Sequence, residues 1–182
     1  MSKAQILVVE GENTLAESLK NRLRDLEYPG PEVVSSGEEA VKRILQSQPD
    51  LVLMDFSAGR MDEVKLGEQI RDRFRIPVVY MATDGDAHAL RGPKGAEPLS
   101  YVLKPFEGRE LEMGIEMALY KHRVEEEYKQ AEETLREKEA FNFALFEYNP
   151  METIVVDLEG RIVNFNLARE KASGRLPRIG DR

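Results

Sequence analysis

The chain contains no cysteine, so disulfides and thiolate metal sites are excluded. Histidine is almost as scarce. His88 and His122 are the only two, neither has a partner at ligand spacing, and both read as solvated surface residues. No apolar run approaches the ~20 residues of a membrane-spanning helix. The start, Met1-Ser2-Lys3-Ala4-Gln5, runs straight into a short apolar stretch and lacks the layout of a signal peptide. A cytoplasmic location and no membrane association are the expectation. Positive charge is also in deficit, with 26 Lys and Arg against 34 Asp and Glu and a net charge of -8. Phosphate contacts need a basic face, and no basic stripe or helix-turn-helix pattern is visible, so direct nucleic-acid binding is not expected. At 182 residues the chain has room for one domain plus part of another.

What is present is organised around Asp55. It ends the run Leu51-Val52-Leu53-Met54-Asp55, whose consecutive apolar residues suit a strand covered on both faces. Gln5 to Glu10 reads as a buried first strand ending on an acid, and Val33-Val34 as a short second one. Pro77 to Met81 and Tyr101 to Leu103 supply a fourth and a fifth. Between them, Leu15, Leu19, Leu23 and Leu26 have helical spacing after Asn13, a good N-cap residue. Ser36 and Glu39 form a capping-box pair before Ala40, Val41, Ile44 and Leu45. Asp62 is positioned to cap a third helix carrying Val64, Leu66, Ile70 and Phe74. Strands alternating with helices over about 105 residues imply parallel βαβ units in a doubly wound sheet. In such a sheet the strand ends Glu10, Asp55, Ala82-Thr83 and Lys104 gather at one edge, where open α/β folds place their chemistry. The bland alternative is a plain Asp55–Lys104 ion pair, although a buried pair is costly to keep for stability alone.

Residues 3–122 resemble a response-regulator receiver domain of the CheY-like, flavodoxin-type (βα)5 fold, with sheet order 2-1-3-4-5. The resemblance rests on Val8-Val9-Glu10, Leu51 to Asp55, Met61-Asp62, Pro77 to Met81 and Tyr101-Val102-Leu103-Lys104-Pro105-Phe106. Ser35-Ser36-Gly37-Glu38-Glu39-Ala40 and Glu116-Met117-Ala118-Leu119-Tyr120-Lys121-His122 look most like regulators of methanogenic archaea, of the Fil type. The resemblance implies that Asp55 is the phosphoacceptor and that Lys104 contacts the phosphoryl group. It further implies that Glu10, Asp55 and the carbonyl of Ser57 hold Mg²⁺, and that Thr83 and Tyr101 are switch residues. The implied partner is a sensor histidine kinase, and the implied role is a phosphorelay regulator, not an enzyme. A phosphorylation-independent pseudo-receiver is the alternative. A flavodoxin-like enzyme or nucleotide binder is disfavoured, because Glu10-Gly11-Glu12-Asn13 is no phosphate loop.

Departures from the pattern bear on the chemistry. Gly11 stands where the family has a second acid, a direct metal ligand. Ala82 stands where it has Thr or Ser, with Thr83 one place late, and a one-residue slip turns a strand side chain to the other face. Gly85, Gly92-Pro93, Gly95 and Pro98 predict that the fourth helix is short or absent, since glycine costs about 1 kcal/mol and proline about 3 kcal/mol inside a helix.

From Glu107 to about Phe146 the chain reads as one long helix. Val124, Tyr128, Ala131 and Leu135 suit a coiled-coil seam, although the acidic neighbours Glu125, Glu127, Glu132 and Glu139 weaken a symmetric pair, and a solvated single helix is the alternative. After Asn149-Pro150, Thr153 to Asp157 and Arg161 to Asn166 predict a hairpin, with a short helix to about Ser173 and Gly174 at its C-terminal side. This stretch resembles the start of a PAS domain, too short to bury a core alone. The expected division is a receiver over 1–120, a signalling helix over 121–140 and the first part of a PAS domain over 141–182. A homodimer through the linker helix and PAS segment is expected.

Overall fold

The computed structural model describes residues 3–56, 61–86 and 100–168. They form two compact units, Met1–Glu125 and Glu126–Arg182. In the first unit five parallel strands, β1 (Ile6–Val9), β2 (Glu32–Val34), β3 (Leu51–Phe56), β4 (Val78–Thr83) and β5 (Ser100–Lys104), lie in the order 2-1-3-4-5. The helices α1 (Asn13–Asp25), α2 (Gly37–Ser47) and α3 (Met61–Phe74) follow the first three strands, and α4 (Gly108–Glu147) follows β5. The predicted fold class, strand order and long helix are all present. The expected shortening of the fourth helix concerns residues 87–99, which lie outside the described residues; Asp84–Asp86 form a helical turn after β4.

Strand alternation builds two cores, one on each side of the sheet. Leu7, Val52, Met54, Tyr80 and Ala82 pack with Ala40 and Ile44 of α2 and Ile70 of α3. Ile6, Val8, Leu53, Met81 and Val102 pack with Leu19 and Leu23 of α1 and Leu111, Ile115 and Ala118 of α4. A polar clamp also ties α4 to the sheet. Lys3 Nζ donates to the carbonyl of Leu26 (2.6 Å) and to Glu112 (2.7 Å) and lies 4.8 Å from the centre of the Tyr28 ring. The Tyr28 hydroxyl donates to Glu116 at 3.1 Å, and burial together with the Glu116 charge raises its pKa.

The helix starts differ in detail from the sequence reading. Asn13 is the first residue of α1, and the cap position is Glu12, which makes no side-chain capping bond. Ser36 caps α2 as expected, accepting from the Glu39 amide at 3.3 Å. Glu39, however, reaches one residue further back, accepting from both the amide (3.0 Å) and the hydroxyl (3.1 Å) of Ser35. Asp62 lies in the first turn of α3 rather than before it, where its charge suits the positive end of the helix.

In the second unit β6 (Ile154–Val156) and β7 (Ile162–Phe165) pair as an antiparallel hairpin. Gly160 takes φ +80 in the turn, a conformation glycine adopts without penalty. Asn166 is fully buried behind the hairpin and holds the segment that leads into it. Its side chain accepts from the Thr153 amide (3.0 Å) and donates to the carbonyls of Asn149 (3.1 Å) and Met151 (2.8 Å). Residues 169–182, including Ser173 and Gly174, lie outside the described residues.

Candidate functional site at the carboxyl edge of the sheet

Register explains why the site residues meet. Val9 pairs with Met54, so Glu10 follows β1 at the level of Asp55. Asp55 pairs with Met81 and Thr83 with Lys104. Alternation then sets Glu10, Asp55, Thr83 and Lys104 on one side of the sheet, the side covered by α1 and α4. Lys104 Nζ donates to Asp55 Oδ1 in a half-buried ion pair. The next peptide, Lys104–Pro105, is cis.

Glu10 is 5% exposed. Its Oε1 accepts from the Glu12 amide at 2.9 Å, while its buried Oε2 has no hydrogen-bond partner. Burial raises its pKa first of all; the Glu12 amide opposes the shift, Asp55 adds to it, and Lys104 counters it. An unpartnered buried carboxylate oxygen next to a second carboxylate is expensive unless a cation completes it. Among the described residues no set of three acidic or histidine ligands gathers; the neighbouring carboxylates at this edge are Glu10 and Asp55. Mg²⁺ keeps several waters and takes one or two carboxylates, so this pair fits it. Ser57, the third expected ligand, lies outside the described residues. Gly11 leaves its corner open. A Cβ built there would meet only the Ser35 carbonyl, at 3.7 Å.

The two switch candidates sit apart. Thr83 is exposed, and its hydroxyl donates to Asp86 at 2.5 Å and accepts from the Asp86 amide at 3.3 Å. It lies on the same sheet side as Lys104, whereas Ala82 is buried in the opposite core beside Phe56 and Tyr80. Thr83 thus has the side of the sheet that Asp55 uses, with its hydroxyl engaged elsewhere. Tyr101 is half-buried and packs on the opposite core.

Arg22 escaped the sequence reading. It donates to the carbonyl of Phe106, and its guanidinium lies 5.7 Å from the centre of that ring, bracing the segment after Lys104. Leu15, Leu19, Arg22, Thr83, Lys104 and Phe106 line an apolar groove of about 390 Å³ beside the ion pair. The signal was available, because Arg22 stands seven residues after Leu15, on the same helical face.

A family model for the response regulator receiver domain matches residues 6–116. The probable transcriptional regulator ycf27 of Guillardia theta is 32% identical over 120 residues, covering 65% of this chain and 46% of that protein. The transcriptional regulatory protein PdtaR of Mycobacterium tuberculosis is 27% identical over 119 residues, covering 65% of this chain and 58% of that protein. The chain thus spans about half the length of the curated relatives it matches. Among solved structures, the signal receiver domain of a modulated diguanylate cyclase from Desulfovibrio desulfuricans G20 aligns with a TM-score of 0.58 and 28% identity, over 67% of this chain and 98% of that one. The PhyR stress response regulator aligns with a TM-score of 0.55 and 23% identity, over 67% of this chain and 46% of that one, a likeness of fold alone. With well over half of its length matched by the family model, and with an acid–lysine pair at the carboxyl edge of a 2-1-3-4-5 sheet, the chain belongs to the response regulator receiver family.

Proposed function

We propose that this chain accepts a phosphoryl group on Asp55 from a sensor histidine kinase and relays the change through α4 to a PAS-like segment that begins near residue 141. The observation that carries the reading is the Asp55–Lys104 pair at the carboxyl edge of the central strand. An Asp55 oxygen would attack phosphorus as the P–N bond of the kinase phosphohistidine breaks, leaving its electron pair on the imidazole nitrogen. Lys104 is placed to move its charge from the carboxylate to a phosphoryl oxygen, as ammonium groups do on phosphates. Glu10, Asp55 and the Ser57 carbonyl would hold Mg²⁺, which supplies charge neutralisation at the phosphoryl group when bound. Because Ala82 has no hydroxyl and Thr83 is engaged with Asp86, the response at Tyr101 is expected to be weak. The reading includes no direct nucleic-acid contact; "transcriptional regulator" describes relatives of which about half is unmatched here. It also includes self-association through the exposed seam of α4 and the hairpin segment.

The test is labelling with acetyl phosphate and Mg²⁺, followed by intact mass. The expected product carries one phosphoryl group and is abolished by Asp55→Asn. A Cβ at Gly11 makes only an ordinary contact with the Ser35 carbonyl, so Gly11→Asp is accommodated, restores an acid beside Glu10, and should tighten Mg²⁺ and speed labelling. Gly11 and Ala82 together favour a second reading, a pseudo-receiver that works as an interaction module. Absence of labelling in both the natural chain and Gly11→Asp, with partner binding unchanged in Asp55→Asn, would select it.

A further inference from the structure

Two helix-to-strand turns of the receiver unit are built alike. Helix α2 ends at Ser47 and α3 at Phe74, and the next residues, Gln48 and Arg75, both take the left-handed conformation, with φ +45 and +57. Each amide bonds back to the carbonyl four residues earlier, Gln48 to Ile44 at 3.0 Å and Arg75 to Arg71 at 3.1 Å. Each turn then reaches a buried proline, Pro49 or Pro77, before the next strand. Glycine is the usual residue at such a helix end, because it has no Cβ to press on the backbone. Glutamine and arginine forgo that relief, and strained positions of this kind gather where a side chain has another use. Among the described residues the other non-glycine case is Glu27, at the end of α1 with φ +64, and its charge acts on Lys3.

Gln48 and Arg75 share a use. Both line a cavity of about 470 Å³ at the amino ends of β3 and β4, the edge of the sheet opposite Asp55. Its floor is apolar, with Ile44 and Ile76 buried and Phe74 and Leu119 half-buried. Main-chain groups hold its walls: Asp50 accepts from the Gln5 amide at 2.7 Å, and the Val52 amide donates to the Pro77 carbonyl at 3.0 Å. The rim offers donors from the Gln48 amide, the Arg75 guanidinium and the half-buried His122 ring of α4, against the single carboxylate of Asp50. Arg73 lies 5.4 Å from the centre of the Phe74 ring, and with Arg71 it offsets the negative end of α3. We propose that this cavity binds a small aromatic carboxylate. The volume suits a molecule of one or two rings, and Phe74 offers a ring for it to pack against. The donors then meet the acid group, while Asp50 stays with the Gln5 amide. A neutral hydrocarbon would use the floor and leave Gln48 and Arg75 idle, and an amine would meet the arginines with like charge. The site takes no part in the phosphoryl chemistry at the other edge.

The probe is 2-naphthoate, titrated into the full-length chain and followed by amide chemical shifts. Saturable shifts are expected at residues 44–50, 74–77 and 119–122, with Glu10, Asp55 and Lys104 unmoved. 2-Naphthylmethylammonium, which has the same rings and the opposite charge, should bind at least ~10-fold more weakly. Arg75→Gly should weaken naphthoate by ~10-fold and Gln48→Gly by a smaller factor. Neither should lower the urea midpoint, because glycine suits both backbone positions. Equal affinity for the acid and the amine would overturn the proposal and leave adsorption to an apolar surface. So would shifts that do not saturate, shifts centred elsewhere, or naphthoate binding that both glycine variants leave intact. If the glycine variants lose stability, His122→Ala decides, since its position in the middle of α4 accepts alanine. A clear loss of naphthoate affinity in that variant upholds the site, and unchanged affinity overturns it.

Discussion

The two units of this chain spend their apolar residues in opposite ways. In the receiver unit nearly every large side chain of β1, β3 and β4 is buried, because helices cover both faces of the sheet. In the second unit Ile154, Val155 and Val156 are all exposed, and the buried residue that organises the hairpin is the polar Asn166. The strands of both are rich in Val and Ile, so composition does not separate them. What separates them is cover. A strand contributes hydrophobic stabilisation only when a second layer removes it from water, and two strands alone are marginal in water.

This contrast can be broken by matched truncations. Leu53→Ala, in the core beneath α1 and α4, should cost ~2–5 kcal/mol in urea unfolding, because the surrounding side chains relax only partly into the cavity. Val155→Ala, the same kind of truncation on the hairpin, should stay within about 0.5 kcal/mol. Equal losses would mean that the hairpin is covered in solution. Overpacking comes next. A Cβ at Gly67 would lie 1.8 Å from the Tyr80 hydroxyl and 2.8 Å from its ring carbon. Gly67→Ala should therefore cost ~1–3 kcal/mol, and Tyr80→Phe in the same chain should recover part of that by removing the nearest atom. No recovery would place the strain in the backbone of α3.

The receiver was legible because each level of its sequence agrees. Four-residue apolar runs end on Glu10 and Asp55, helical spacing fills the gaps, and alternating elements force a parallel sheet whose ends converge. The Asp55–Lys104 contact followed from that topology. Side-chain detail did not follow. Glu39 takes Ser35 rather than completing the box with Ser36, because two donors, the amide and the hydroxyl, converge on one oxygen there. Thr83 does lie on the face opposite Ala82, as alternation along β4 requires; what the sequence left open is that this face is the one shared with Asp55 and Lys104.

Asn166 gives a sharper probe of the second unit. Asn166→Ala would leave the Thr153 amide and the carbonyls of Asn149 and Met151 without their partner. The expected loss is ~1–3 kcal/mol, felt as local opening of the hairpin. Amide exchange should accelerate across residues 153–166 and remain unchanged in β1, β3 and β4. Acceleration in those strands as well would show that the two units open together.

The smallest expected effect is at the surface of the receiver and depends on pH. Glu39 is held below its ordinary value of 4.5, chiefly by the Ser35 amide, then by the Ser35 hydroxyl, with a minor contribution from Lys42 and Arg43 and against a small opposing effect of burial. A carboxyl group whose folded pKa is lowered binds fewer protons folded than unfolded. Its stabilising contribution is therefore complete above 4.5 and disappears as pH falls through the lowered folded value. The contribution also depends on charge, because Glu39 sits in the first turn of α2, where a negative side chain faces the positive end of the helix. Glu39→Gln retains an acceptor for Ser35 but has no charge to lose. The variant should thus be slightly less stable than the natural chain at pH 7 and indistinguishable from it once the pH lies below the folded value. Urea midpoints measured from pH 7 down through the acid range should converge. A constant offset at every pH would mean that the Ser35 hydrogen bonds act without the charge, and that the acid sensitivity of the receiver arises elsewhere.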